Sequence, residues 1–195
     1  MVDFALTLPA VDPARIALVG WSFGGYLAPR GAAGEPRLAA RIADPGQWDL
    51  IDGMRTIFSR LGVQPEVARK LPDVDESALE PAFAAIRANP QLYWTFVQRG
   101  LMVHGVDTPM DYLRACVEFR LSDRVSEIRC PTLVTQAEND PVAAYAGRLY
   151  DALTCPKTLL RFTAAEAAGD HCEAWSRSVY FQRAYDWLDA AFGLR

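Results

Sequence analysis

The apolar positions divide the chain into two kinds of segment. Short apolar runs that suit buried strands lie towards both ends of the chain, at 15–20, 39–43, 131–136 and 156–162. Between residues 47 and 128 the apolar residues recur at three- and four-residue spacing, which predicts helices at 48–61, 75–88, 90–103 and 109–120. The alternation predicts an α/β chain, with a mostly parallel sheet, flanking helices and a helical block inserted between strands.

Residues with strong local preferences mark the ends of several helices. Asn89-Pro90 and Thr108-Pro109 each suit a helix N-cap followed by its first turn. Pro29 lies inside the helix expected after the first strand, and we expect it to disturb that helix. The last helix is expected to cover about 173–192.

The first strand-like run leads into a turn with the spacing Gly-x-Ser-x-Gly. Gly20 ends the run, Ser22 follows, and Gly24 precedes small and apolar residues that favour a helix. Strand, sharp turn and helix with this spacing are typical of the nucleophile elbow of serine hydrolases. We expect glycine to be sterically required at positions 20 and 24, and the Phe23 N–H to stabilise a substrate oxyanion from the helix N-terminus.

A glycine-rich turn between a strand and a helix also suits phosphate binding. Turns of that kind carry a lysine after the glycines or the spacing Gly-x-Gly-x-x-Gly. Residues 20–31 contain neither feature. The elbow is therefore the better interpretation of this stretch.

A serine nucleophile needs a base to take its proton and an acid to orient that base. The sequence has two histidines, His104 in the helical block and His171 in the loop after the last predicted strand. In an elbow-type hydrolase the chain order is serine, acid, histidine, which favours His171 as the base. His104 is interpreted as a packing residue or a substrate contact.

Asp140 is the preferred acid, because it follows the strand at 131–136 at the edge where active-site residues of parallel sheets gather. Its alternative role is to cap the helix that follows it. Glu138 is the main rival. Asp170 is adjacent to His171, and side chains of sequence neighbours rarely meet in the required geometry.

We assign 1–46 and 129–195 to the α/β core and 47–128 to the insert, which is most simply a lid over the site. Most of the aromatic residues in the insert are expected to form its own core. The residues predicted to line the substrate are Trp21 beside the elbow, Trp48, Trp94 and His104.

Composition excludes several functional classes. The chain of 195 residues has a net charge of −4 and no basic run, so no nucleic-acid partner is expected. Since no stretch approaches the roughly 20 apolar residues of a membrane span and no charged leader is evident, we expect a cytoplasmic protein without membrane contact. The four cysteines lack Cys-x-x-Cys spacing, so we expect reduced thiols, no metal and no other cofactor. A thiol nucleophile at Cys172 is a minor alternative.

Four parts of the sequence carry a more specific resemblance. They read VDPARIALVGWSFGGYLAPR, RIADPGQWDL, CPTLVTQAENDP and, near the end, AGDHCEAWSR with YFQRAYDWLD. The chain resembles the C-terminal part of α/β-hydrolases of the dihydropseudooxynicotine hydrolase and FrsA-like esterase group. The resemblance implies Ser22 as nucleophile, Asp140 as acid and His171 as base. It also implies hydrolysis of an ester, or of a carbon–carbon bond next to a ketone, since members of the group act on such bonds and some act on polyketide-like or aromatic substrates. The aromatic residues of the insert favour a small carbonyl substrate that is apolar or aromatic.

Proteins of that group have a long N-terminal portion before the elbow strand, including four further strands and the loop that supplies a second oxyanion N–H. Only about 14 residues precede the elbow strand in this sequence. We therefore expect that strand to form an exposed apolar edge suited to a partner chain or a homo-oligomer. Two alternatives stay open. One is a truncated, weakly active or non-catalytic module that binds an apolar ligand or a partner, and the other is an acyltransferase or thioesterase.

Overall fold

The structure is a computed structural model that describes residues 1–194. The chain forms two compact units. The α/β unit consists of Met1–Trp48 together with the described residues from Leu121 onward, and the helical unit is Asp49–Arg120. The insert expected at 47–128 overlaps the helical unit over most of its length.

A four-stranded parallel sheet in the order β1-β2-β3-β4 forms the centre of the α/β unit. The strands are β1 (Ala17–Trp21), β2 (Ala40–Asp44), β3 (Thr132–Ala137) and β4 (Lys157–Phe162). All four follow the apolar runs in the sequence, and their ends differ from the predicted ones by at most two residues. The predicted fold class is confirmed.

The α-helices in chain order are α1 (Val2–Ala5), α2 (Gly24–Ala33), α3 (Leu50–Arg60), α4 (Pro65–Ala68), α5 (Glu80–Ala88), α6 (Pro90–Tyr93), α7 (Gly100–His104), α8 (Pro109–Ala115), α9 (Ala146–Ala152) and α10 (Arg177–Ala191). Within residues 1–194, none of them combines the length and the apolar character that crossing a bilayer requires. Pro29 lies inside α2, as expected.

Burial differs sharply between the first two strands. Every residue of β2 is buried, whereas Val19 and Trp21 of β1 are 47% and 61% exposed. Behind β2, Ile42 packs in a core with Leu133 and Phe162. The first strand therefore presents apolar side chains at one edge of the described sheet.

The helical unit broadly follows the predicted helices, although the one expected at 75–88 begins as a 3₁₀ turn at Glu76–Leu79 and the one expected at 109–120 ends in a 3₁₀ turn at Cys116–Glu118. The N-caps are as predicted, since the Asn89 side chain accepts hydrogen bonds from the N–H groups of Gln91 and Leu92, and Thr108 accepts one from Asp111. The single helix expected at 90–103 is instead α6, a π-helical segment at Trp94–Arg99, and α7. A further departure is the short helix α4, which the pattern does not predict.

Aromatic rings form the core of the helical unit. The ring of Phe58 meets those of Phe83 and Phe96 edge to face, and Phe96 makes a similar contact with Tyr112. This agrees with the expectation that most aromatic residues of the insert pack against one another.

Candidate active site

The elbow holds Ser22 in a backbone conformation that non-glycine residues rarely adopt. Its φ is 57°, in the left-handed region. Two hydrogen bonds from the β2 side support this conformation: the Ser22 N–H donates to the Asp44 carbonyl at 2.7 Å, and the Ser22 carbonyl accepts from Gln47 Nε2 at 2.6 Å. Strain of this kind persists only where the surroundings over-determine it, and it is concentrated at functional sites. The sequence offered no signal for the role of Gln47.

The elbow leaves no room for a side chain at position 20 or at position 25, so both positions require glycine. A Cβ on Gly20 would lie 1.8 Å from the Gly24 carbonyl oxygen, and one on Gly25 would lie 1.9 Å from the Pro45 oxygen. The expectation that Gly24 serves this purpose is wrong, because no atom beyond its chain neighbours and its own helix backbone lies within 4 Å of the place its Cβ would occupy. The close approach is between the first turn of α2 and the loop after β2, and Gly25 is the residue that meets it.

Ser22, His171 and Asp140 form a continuous hydrogen-bonded chain. Ser22 Oγ lies 2.9 Å from His171 Nε2, and His171 Nδ1 lies 2.8 Å from Asp140 Oδ2. A carboxylate only accepts hydrogen bonds, so Nδ1 carries the proton and Nε2 is free to accept from the serine hydroxyl. These are the distances and the order expected for a nucleophile, a base and an orienting acid.

Asp140 makes the contacts expected for both of the roles considered for it. Its side chain is fully buried, and while Oδ2 meets His171, Oδ1 accepts a hydrogen bond from the Val142 N–H at 2.9 Å. The rival acid, Glu138, instead accepts from the Ala164 N–H at 2.8 Å. The exposed Asp170 uses its carbonyl oxygen to accept from the Glu173 N–H.

The environment of His171 strengthens it as a base. Burial of the ring lowers its pKa, but the hydrogen bond and charge of Asp140, together with the charge of Asp44, outweigh burial and raise the pKa above its ordinary value. The imidazolium that forms when the serine proton is taken is therefore stabilised. The same effect keeps His171 protonated, and unable to act as a base, to a higher pH than an isolated histidine.

A second charged cluster lies beside the triad. Arg177 Nη1 lies 2.8 Å from Asp44 Oδ2 and 3.4 Å from Glu173 Oε2, and both carboxyl side chains are fully buried. Thr135 donates to the other Asp44 oxygen at 2.8 Å. Burial raises the pKa of Glu173, and the neighbouring Asp44 raises it further. The sequence gives no signal for this cluster, because Asp44 is remote along the chain from Glu173 and Arg177.

The loop that carries His171 is held by the same arginine. Arg177 Nη1 donates to the Cys172 carbonyl oxygen at 2.8 Å, and the backbone of Cys172 and Glu173 is left-handed, with φ of 53° and 49°. These left-handed residues explain why α10 begins at Arg177 and not near residue 173. Cys172 Sγ lies 3.5 Å from His171 Nε2, but burial raises its pKa and keeps it a thiol, which disfavours it as a nucleophile.

The other predicted site residues have varied surroundings. Phe23 is the N-cap of α2, so its backbone lies at a helix N-terminus as predicted. Trp21, at the end of β1, has the Arg177 guanidinium 5.0 Å from its ring centroid. Trp48 is buried, with Arg148 4.8 Å from its ring.

Trp94 and His104 belong to the helical unit. Trp94 is 54% exposed, and its ring faces the Arg99 guanidinium. His104 packs against the rings of Tyr112 and Phe119 at 4.8 and 5.1 Å. Burial, with the nearby charge of Arg99, lowers the pKa of His104, which favours its neutral form. A role for either residue in lining the substrate stays a prediction.

Comparison with known proteins agrees with this architecture. Residues 1–186 match the model described as the alpha/beta hydrolase family. The chain is 31% identical over 193 residues to hydrolase LUC6 of a Fusarium species, a match that covers 95% of this chain and 45% of the relative. It is 30% identical over 193 residues to 20-hydroxy-prefusarin hydrolase FUS2 of Gibberella moniliformis, with the same coverage of 95% and 45%.

The chain thus spans about half the length of the curated relatives it matches. The solved structure of 2,6-dihydroxy-pseudo-oxynicotine hydrolase superimposes with a TM-score of 0.61 at 24% identity, over 98% of this chain and 43% of the other. That match shows a common fold, and it agrees with the resemblance carried by the sequence motifs. The parallel sheet, the elbow and these matches together show that the chain belongs to the alpha/beta hydrolase family.

Proposed function

We propose that this protein is a serine-dependent hydrolase that cleaves an ester, or a carbon–carbon bond next to a ketone, in a small carbonyl compound. The observation that carries the proposal is the hydrogen-bonded chain from Ser22 Oγ through both nitrogens of His171 to the buried Asp140 carboxylate. Family membership and relatives that are named hydrolases support it.

In this mechanism the serine hydroxyl attacks the substrate carbonyl while His171 Nε2 takes its proton. Asp140 keeps the proton on Nδ1 and stabilises the imidazolium, and the Phe23 N–H at the start of α2 donates to the oxyanion. His171 then returns its proton to the leaving alkoxide, and water releases the acyl group from Ser22. For carbon–carbon cleavage the same residues activate water, and an enolate leaves.

The substrate class rests on the relatives and on the aromatic residues. One relative is named for hydrolysis of 20-hydroxy-prefusarin, and one matched structure is named for 2,6-dihydroxy-pseudo-oxynicotine. Both names support a small organic substrate for this chain. The exposed Trp21 ring, which is next to Ser22 in the sequence, favours a substrate that carries an apolar or aromatic group.

Reaction with a fluorophosphonate tests the proposal directly. We expect intact mass to show one adduct on the wild-type protein and none on Ser22→Ala or His171→Ala. Ser178→Ala is the matched serine control, because Ser178 is exposed on α10, and it should react as the wild type does. A folded wild-type protein that forms no adduct, or one that keeps its adduct without Ser22, would refute the proposal.

A second candidate function is binding of an apolar ligand by the helical unit. That unit contains a cavity of about 300 Å³. The residues that line it include five aromatic rings, those of Phe58, Phe83, Tyr93, Phe96 and Tyr112. Small-molecule sites are commonly concave, apolar and rich in aromatic side chains. Titration with the fluorescent probe 1-anilinonaphthalene-8-sulfonate tests this. A binding module is favoured over an enzyme by two results together. The wild-type protein fails to react with the fluorophosphonate, and Ser22→Ala binds the probe saturably, with an affinity that the additional change Phe83→Trp lowers.

A further inference from the structure

Two cysteines lie at matching positions ahead of neighbouring strands. Cys130 precedes β3 and Cys155 precedes β4, and each is followed by a proline. The first residues of these strands, Thr132 and Lys157, are partners in the parallel register. The Thr132 N–H donates to the Pro156 carbonyl at 2.9 Å. The two segments are therefore already hydrogen-bonded at Pro156, which lies between Cys155 and the start of β4.

This arrangement suits a disulfide. Neighbouring strands lie about 4.7–4.9 Å apart, and disulfides join residues whose Cα atoms are about 4.4–6.8 Å apart. Aligned residues of parallel strands direct their side chains to the same face of the sheet. Both thiols are free, and Cys155 lies close enough to Cys130 to act on its thiol electrostatically.

A buried cation lies beside the pair. Arg41 of β2 is fully buried, and it donates to Thr132 Oγ1 from Nε at 3.3 Å and from Nη2 at 3.0 Å. Its third nitrogen, Nη1, is buried without a hydrogen-bond partner, and within residues 1–194 no carboxylate pairs with this guanidinium. The groups that interact electrostatically with it are the thiols of Cys130 and Cys155.

Burial of a cation without a counter-ion is unfavourable, so a thiolate formed here has a ready partner. Cys155 is partly exposed, and its Sγ lies 3.6 Å from Thr132 Oγ1, the same oxygen that Arg41 binds. Cys130 is buried. Burial raises the pKa of the Cys130 thiol, and the Arg41 charge opposes that effect.

We propose that Cys130 and Cys155 form a thiol modification site that small disulfides such as oxidised glutathione convert to an intramolecular disulfide. The Cys155 thiolate attacks one sulfur of oxidised glutathione, forming a mixed disulfide and releasing one glutathione thiolate. The Cys130 thiolate then attacks Cys155 Sγ and releases the second glutathione. Two protein thiols are oxidised, one disulfide is reduced to two thiols, and Arg41 stabilises the attacking thiolate of Cys130.

The test is intact mass and peptide mapping of the purified protein after incubation with oxidised glutathione. The wild-type protein should lose two hydrogens and yield a cross-linked peptide containing Cys130 and Cys155. Cys130→Ser should stop with one glutathione on Cys155, and Cys155→Ser should form no internal disulfide. Cys116→Ser, which removes a buried thiol of the helical unit, should behave as the wild type does.

The disulfide should raise the midpoint of thermal unfolding by roughly 5–15 °C, and dithiothreitol should reverse the change. Fluorophosphonate reaction at Ser22 should continue after oxidation. In a parallel sheet, residues that precede the strands and residues that follow them lie at opposite edges, and Cys130 and Cys155 precede their strands whereas Ser22 follows β1. A folded wild-type protein without the two-hydrogen loss would overturn the proposal. Stable glutathione on wild-type Cys155, or a mapped disulfide containing Cys116 or Cys172, would do the same.

Discussion

The Ser22 N–H donates a hydrogen bond to the Asp44 carbonyl oxygen at 2.7 Å, and this contact joins the elbow to the end of the neighbouring strand. The Asp44 side chain extends to Arg177, whose guanidinium also binds the Cys172 carbonyl in the loop that carries His171. Asp44 thus contacts both halves of the candidate catalytic machinery. It acts on the nucleophile through its backbone and on the histidine loop through its carboxylate.

We expect Asp44→Asn to destabilise the protein and to slow phosphonylation of Ser22. The change removes the charge that faces Arg177 while it keeps the backbone hydrogen bond to Ser22. Breaking a buried ion pair typically costs about 3–5 kcal/mol, which urea unfolding would measure. The matched control is Asp123→Asn, which removes a pair with Arg30 that is partly exposed at both partners, and it should cost about 1 kcal/mol or less. Equal losses from the two variants would contradict this account.

The buried carboxyl of Glu173 predicts a particular dependence of stability on pH. Its pKa is raised in the folded protein above the ordinary value of 4.5, so the folded state binds more protons than the unfolded state as pH rises beyond that value. Stability from this group is complete below pH 4.5 and falls as pH rises through its raised pKa. Glu173→Gln removes this loss, so the thermal midpoint of the variant relative to the wild type should increase steadily from pH 5 to pH 9.

Glu138→Gln is a control for that measurement, because Glu138 is exposed and binds the Ala164 N–H. Its midpoint relative to the wild type should lack the steady rise above pH 5. A relative midpoint of Glu173→Gln that stays flat or falls with pH would show that Glu173 is ionised in the folded protein.

The two glycines after Phe23 should respond oppositely to alanine. Gly25→Ala places a Cβ 1.9 Å from the Pro45 carbonyl oxygen, so we expect a loss of several kcal/mol or a failure to fold. Gly24→Ala places its Cβ more than 4 Å from every atom outside its chain neighbours and its own helix backbone. Since position 24 lies in the first turn of α2, the change should be neutral or stabilising by up to about 1 kcal/mol. Thermal unfolding of both variants decides the matter. If Gly24→Ala were destabilised, position 24 would require glycine, as the motif predicts.

The pKa of His171 should govern the pH dependence of phosphonylation. The histidine must be neutral to take the serine proton, and Asp140 raises its pKa, so the rate should fall as pH decreases through a midpoint above the ordinary 6.5. Burial lowers the pKa of His171, and in Asp140→Asn no carboxylate at position 140 opposes that effect. The midpoint should move to lower pH, and the maximal rate should fall by a factor on the order of 10⁴.

Glu138→Gln again provides the comparison, because Glu138 was the rival acid in the sequence. It should retain the wild-type midpoint and rate. If Glu138→Gln moved the midpoint and Asp140→Asn did not, the acid would be Glu138.

Local sequence preferences predicted the strands well and the helices less well. Each strand coincides with a short apolar run, the pattern typical of strands in a parallel sheet. The pattern did not show that β1 would leave Val19 and Trp21 exposed while every residue of β2 is buried. The segment at 94–99 became π-helical although its apolar spacing favours an ordinary helix, and the pattern does not distinguish the two. The start of α10 was displaced because Cys172 and Glu173 adopt left-handed backbone conformations, for which neither residue has a preference in isolation.

The sequence by itself determined the fold class, the position of the elbow, and the choice of Ser22, Asp140 and His171 as the candidate set. These follow from local patterns and from the order of residues along the chain. Only the tertiary structure decided that Gly25 and not Gly24 needs to be glycine, that Gln47 holds the elbow, and that Arg177 binds the buried carboxyl groups of Asp44 and Glu173. Those properties depend on distances between segments remote in sequence, and packing sets such distances without leaving a pattern in either segment.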